Sequence, residues 1–124
     1  MNLAKPYLLV VGVLTILFGV IYLFVPATMT DPAGFGPLRG SALTDIRATY
    51  GGFQIGMGTF LVWAAGAEDR MRAGLVLIAL SFGSLFLSRS LGVLMDGELS
   101  AFHMQGLAVE STITAITLYL IRKS

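Results

Sequence analysis

Residues 73–94 read AGLVLIALSFGSLFLSRSLGVL, an apolar run interrupted by a single charge, Arg89. A run of about 18 or more predominantly apolar residues is long enough to cross a bilayer as a helix. An ionised side chain inside such a run is costly, so Arg89 reads as a residue kept for a partner or a ligand. Outward from this stretch, three more runs follow the same pattern: Tyr7–Val25, Ala48–Gly66 and Met104–Ile121. Arg47 stands against the edge of one and Glu110 lies inside another. The expected fold is all-α, a bundle of four transmembrane helices forming one membrane domain over residues 1–124. Its helices are expected at about 5–26, 43–66, 70–95 and 100–122, with a loop over 27–42.

Composition points the same way. The chain is 56% hydrophobic and 12% charged, against about 45–50% and about 25% in ordinary soluble domains. A net charge of +1, with no basic stripe carrying interleaved aromatics, argues against nucleic acid as a partner. The absence of cysteine removes disulfide exchange, thiolate metal sites and iron–sulfur clusters. A single histidine cannot hold haem from both faces within one chain, and no facing pair of ligands suggests a metal. Lys5 and the run after it resemble a signal peptide, with a weak cleavage-site match at Val25-Pro26-Ala27. Signal cores, however, are about 7–15 residues, and this run has 19; a retained first helix is expected.

Four spans place both termini on one side, together with the short connection Ala67–Arg72. That side holds Lys5, Arg70, Arg72, Arg122 and Lys123. The positive-inside bias then assigns it to the cytoplasm and makes the protein a multi-pass component of the cytoplasmic membrane. Pro26–Thr44 and Met95–Phe102 become extracytoplasmic. The longer loop, punctuated by Pro26, Pro32, Pro37, Gly34, Gly36 and Gly40, has two readings. It is a solvated connector, or a lid that folds Phe35 and Leu38 back over the bundle.

A helix rises about 1.5 Å per residue, so depth can be counted from the cytoplasmic ends. Glu110 lies 12 residues from Arg122, about 18 Å into a core roughly 30 Å thick. Counted likewise, Arg89 lies about 25 Å up, Gln54 about 24 Å, His103 about 28 Å, Tyr50 about 30 Å and Arg47 about 34 Å. These residues come from three helices and share the outer half. Arg47, Tyr50 and Gln54 step by three and four along one helical stripe, and His103 and Glu110 are nearly two turns apart. Ser81, Ser84 and Ser88 lead along the third helix to Arg89. The expectation is that Arg47, Arg89 and Glu110 are buried together, with Glu110 in a bidentate pair with one arginine. The remaining positive charge would be balanced by Asp45, Asp96 or an anionic ligand. Gly52 and Gly56 form a GxxxG, and Ser84, Ser88 and Gly92 a ridge of small residues. Packing inside the bundle is expected of them, with a homo-oligomer seam as the alternative. Tyr7 and Trp63 fall where an aromatic belt would lie.

The segment Asp45-Ile46-Arg47-Ala48-Thr49-Tyr50-Gly51-Gly52, the stretch from Arg89 to Asp96-Gly97, and Glu110 carry a resemblance. The chain resembles the bacterial domain-of-unknown-function family numbered 4345, small four-helix membrane proteins, from Phe18-Gly19 and Pro26 to its C-terminal part. Leu99 departs from the pattern, which has proline after Asp-Gly-x. More distantly the chain looks similar to DoxX-like four-helix proteins, some of which associate with quinone-linked redox enzymes. The resemblance implies a bacterial inner-membrane location and raises a quinone as ligand or cofactor.

Four functional readings follow. In the first, a small or lipid-like molecule with an anionic or carbonyl-bearing head binds on the extracytoplasmic side. Arg47 and Arg89 hold the head, Tyr50, Gln54 and His103 supply hydrogen bonds, and Glu110 orients the arginines. In the second, the protein is a structural or accessory membrane subunit whose buried Arg–Glu network only fixes the bundle. In the third it is a small proton-coupled transporter acting as a dimer, although an ion-paired carboxylate is a poor proton carrier. Catalysis is the weakest. There is no nucleophile–base–orienter set, phosphate loop or metal signature, and His103 and Glu110 stand about 10 Å apart along one helix.

Overall fold

The computed structural model describes residues 3–124, which contain helices and no strand. Helix α1 (Ala4–Phe24) carries Pro6 in its first turn, where a missing N–H leaves no bond unmade. It stops at Val25, because the residue before Pro26 is held out of the helical region. A short helix α2 (Ala27–Thr30) follows, and Gly34, Gly36 and Gly40 turn the chain at φ of 85°, 71° and 55°. Such left-handed conformations are readily open only to glycine.

Helix α3 (Gly40–Ile46) runs without a break through a π-turn at Arg47–Gly52 into α4 (Phe53–Ala64). In the π-turn the Phe53 N–H reaches back five residues to the Ala48 carbonyl. The sequence pattern starts this rod near residue 43; it starts at Gly40, and no sequence signal announces its π-turn. Helix α5 (Glu68–Asp96) opens with Glu68 and Asp69, whose charges suit the positive end of the helix dipole. It closes on Gly97 at φ 70°, which satisfies the Val93 carbonyl. Helix α6 (Ala101–Lys123) is capped by Ser100, whose Oγ accepts the His103 N–H at 3.3 Å. The helices α1, α5 and α6 are each long and apolar enough to cross a membrane.

The rods associate as two pairs, α1 along α4 and its π-turn, and α5 along α6. The pairs share a core near the α4–α5 turn, where Leu8, Leu61, Leu75 and Ile78 are fully buried beside Ala65 and Met71. Tyr7 joins them there, its hydroxyl bonded to the Ile113 carbonyl at 3.0 Å and the Thr117 hydroxyl at 2.7 Å. These bonds make it part of the joint between α1 and α6. Trp63 is half exposed. Past Ile78 no residue of α5 is buried.

Backbone closeness holds the first pair. A Cβ on Gly58 would lie 2.5 Å from the Gly12 carbonyl oxygen, and one on Gly19 would lie 2.7 Å from that of Gly51. Two glycine crossings seven residues apart thus form the seam, as small residues allow in membranes. Gly52 and Gly56, expected to pack internally, face open space on the far side of the rod, as does Gly92 on α5. The seam runs through Gly51 and Gly58 instead.

Candidate functional site

Arg89 lies in the last two turns of α5, beyond the apolar core, and Glu110 is buried on α6 opposite it. The guanidinium gives both Nε–H, at 2.8 Å, and Nη2–H, at 2.7 Å, to a single carboxylate oxygen, Oε1 of Glu110. This replaces the expected fork-to-fork geometry and leaves Oε2 buried with no hydrogen-bond partner among the described residues. Nη1 donates to His103 Nδ1 at 3.1 Å. Arginine has no acceptor, so His103 presents a lone pair at Nδ1 and carries its proton at Nε2.

His103, Gly106 and Glu110 step by three and four along α6, and the Arg89 side chain lies across that face. Gly106 makes the crossing feasible: a Cβ there would come within 2.7 Å of Arg89 Nε and 2.9 Å of Cζ. The Phe102 ring closes one side, 5.7 Å from the guanidinium carbon. The linker between α5 and α6 sets the register. Gly97 ends one helix, Ser100 starts the next, and the Ser100 cap fixes the backbone of His103 beside Arg89.

The remaining sequence-predicted residues stand elsewhere. Arg47 does not reach Glu110; its Nη1 donates to the Leu23 carbonyl at the end of α1. That carbonyl belongs to the last helical turn, whose acceptors lack intrahelical donors. Tyr50 stacks on Tyr22 at 5.2 Å and receives the edge of Phe35 at 6.5 Å. The loop therefore turns back onto the π-turn through Phe35. Gln54 donates to the Tyr50 carbonyl at 2.7 Å, bonding its own rod. The structure thus brings Arg89, His103 and Glu110 together and places Arg47, Tyr50 and Gln54 in a separate cluster with α1 and the loop. Tyr22 of α1 belongs to this second cluster through its stacking on Tyr50.

Two hollows flank these clusters. A cleft of about 320 Å³ runs along the end of α5, lined by Leu85, Arg89, Val93, Asp96, Glu98 and His103. A second, of about 470 Å³, lies under the loop, with Asp31, Leu38 and Arg47 in its wall. Sequence reading missed Gly106, Phe102 and Tyr22. Of these only Gly106 left a signal, a glycine midway between two polar residues of one helical face. No group of residues suited to hold a metal ion occurs among the described residues.

Helices of membrane-spanning length tied by a buried arginine–glutamate pair define a small helical membrane protein with a charged centre. The chain belongs to the family described as Domain of unknown function (DUF4345), whose model matches residues 3–121. No curated protein and no solved structure matches it.

Proposed function

We propose that the chain is a four-span bacterial inner-membrane protein that binds a small or lipid-like molecule at the Arg89–His103 cleft. The unbroken rod from Gly40 to Ala64 supports a fourth span alongside α1, α5 and α6. The cations Lys5, Arg70, Arg72, Arg122 and Lys123 gather at the other end of the bundle, which supports cytoplasmic termini and an extracytoplasmic cleft.

The observation that carries the reading is the state of Arg89. Three of its five N–H groups are used, so Nη1 and Nη2 each keep one for a ligand oxygen. Its side chain is 22% exposed, beside a cleft with apolar walls at Leu85 and Val93. Charge bookkeeping refines the ligand. Glu110 offsets Arg89, Arg47 is committed to a carbonyl, and Asp96 and Glu98 line the same cleft. A full anion is disfavoured there, and a neutral carbonyl-bearing head of quinone type fits better. Arg89 and His103 contact that head, Glu110 orients Arg89, and Arg47, Tyr50 and Gln54 set the π-turn behind Tyr22.

Native mass spectrometry on the protein extracted gently from its own membrane tests this. A bound small-molecule mass, lost in a still-helical Arg89→Gln variant, is the expected result. A clean unliganded mass in the parent chain argues for the structural reading instead. That reading has its own support, since the Arg89–Glu110 pair ties α5 to α6 where the apolar core has ended. Topology is tested separately in this cysteine-free chain. A cysteine at Ser124 should be labelled only from the cytoplasmic side and one at Ala33 only from outside.

A further inference from the structure

The bundle end opposite the cleft holds Lys5, Arg70, Arg72, Arg122 and Lys123, with Glu68 and Asp69 as its acids. Arg89–Glu110 is the one salt bridge among the described residues, so none of these five cations is paired with a carboxylate. Uncharged groups hold three of them in place. The Arg70 guanidinium lies 4.1 Å over the Trp63 ring, Lys123 lies 5.8 Å from the Tyr119 ring, and Arg72 donates to Ser124 Oγ at 2.8 Å. Arg70 Nε is buried and has no acceptor among the described residues. Above this charged end the outer face of α4 is unusual. Phe60 packs against Trp63 at 5.5 Å, Phe53 is 70% exposed, and Gly52 and Gly56 between them leave an open furrow.

We propose that Trp63 and Arg70 form a docking site for an anionic phospholipid. The headgroup phosphate accepts hydrogen bonds from the Arg70 Nη groups, with Arg72 and its neighbours adding attraction. One acyl chain lies in the furrow over Gly56, between Phe53 and Phe60. Half-exposed Trp63 sits at headgroup depth, where indole rings settle. Stacking on Trp63 positions the guanidinium before the lipid arrives, so little side-chain freedom is lost on binding. Charge complementarity selects anionic over zwitterionic headgroups.

Trp63 is the only tryptophan of the chain, so its fluorescence reads the site directly. The full chain is reconstituted in phosphatidylcholine vesicles containing, at equal mole fraction, either chain-brominated phosphatidylglycerol or chain-brominated phosphatidylcholine. The anionic lipid should quench as though enriched about fivefold, the equivalent of about 1 kcal/mol for one basic residue near an anionic surface. Arg70→Gln should bring the two lipids near parity, and Arg70→Lys should keep much of the preference. Each variant is compared with itself across two lipids, so changes in indole yield cancel. Should neither variant fold, the parent chain alone decides, because high salt must collapse a charge-based preference. Equal quenching in the parent chain overturns the proposal, and so does a preference that survives Arg70→Gln or high salt. Feeble quenching by both lipids means a second copy covers the furrow, and this too overturns it.

Discussion

The two helix pairs are held together by opposite means. Between α1 and the rod of α4 and its π-turn, backbones nearly touch, through Gly12 on Gly58 and Gly19 on Gly51, and no ion pair is involved. Between α5 and α6, beyond the shared core, an arginine and a glutamate meet where no neighbouring residue of α5 is buried. Glycine seams gain dispersion contacts and require only the absence of side chains. A buried ion pair has to recover the desolvation of two charges, and much of its contribution is that neither is left alone. The first arrangement is intolerant of added volume and indifferent to chemistry, and the second is the reverse. The two regions should therefore respond to different substitutions, the first to added volume and the second to lost charge.

The largest expected effect comes from filling the seam. Gly58→Leu places a Cβ 2.5 Å from a backbone carbonyl that cannot move without its helix. Overpacking of well-packed sites costs about 1–3 kcal/mol, occasionally more, and a clash with backbone belongs at or above the top of that range. Unfolding in mixed micelles, followed by circular dichroism, should show collapse of the helical signal at much lower denaturant. Gly56→Ala is the matched control: it meets open space, and a shift within about 0.5 kcal/mol is expected. Comparable losses in both would mean that α1 and α4 do not pack as described.

The ion pair is next. Arg89→Met or Glu110→Leu alone strands a partner and should cost about 3 kcal/mol, the low end for broken buried pairs because Arg89 is partly exposed. The double variant Arg89→Met/Glu110→Leu removes both charges and should recover most of that loss in the same unfolding assay. Recovery of stability without recovery of ligand would separate function from scaffold, whereas strict additivity of the two losses would deny the pairing. Gly106→Ala should cost less, about 1 kcal/mol, because the guanidinium it meets at 2.7 Å is the end of a flexible side chain. Its signature is coupling: the loss should vanish when Arg89 is already methionine.

How much of this was legible beforehand varies by residue. Apolar runs announce helices of spanning length because hydropathy is additive along a chain. Arg89 and Glu110 could be matched by depth, since helical rise is uniform. Arg47 could not be placed in the same way. A stripe of Arg47, Tyr50 and Gln54 assumes 3.6 residues per turn, and the π-turn at Arg47–Gly52 inserts an extra residue, rotating one half of the rod about 100° against the other. Nothing in side-chain periodicity reports a backbone register change. Nor does it report that Arg47 has a carbonyl as partner, since every residue carries one. The glycine seam was misassigned because GxxxG is the familiar spacing, whereas Gly12 with Gly19 and Gly51 with Gly58 repeat at seven.

The smallest effect probes the joint between the two pairs. Tyr7 reaches from α1 to the Ile113 carbonyl and Thr117 hydroxyl of α6, and Thr117 also bonds that carbonyl at 2.7 Å. Tyr7→Phe therefore leaves no buried group stranded, because Thr117 keeps its own acceptor. Interhelical hydrogen bonds of this kind in membranes are worth about 0.6 kcal/mol, so a shift of that order is expected in the unfolding assay. The apolar core around Leu8, Leu61 and Leu75 then carries the joint, and Leu75→Ala should exceed Tyr7→Phe several-fold, at about 2 kcal/mol or more. If the order were reversed, the pairs would be hinged on a polar clasp rather than welded by packing. The cleft at the far end of α5 would then be free to open about that clasp.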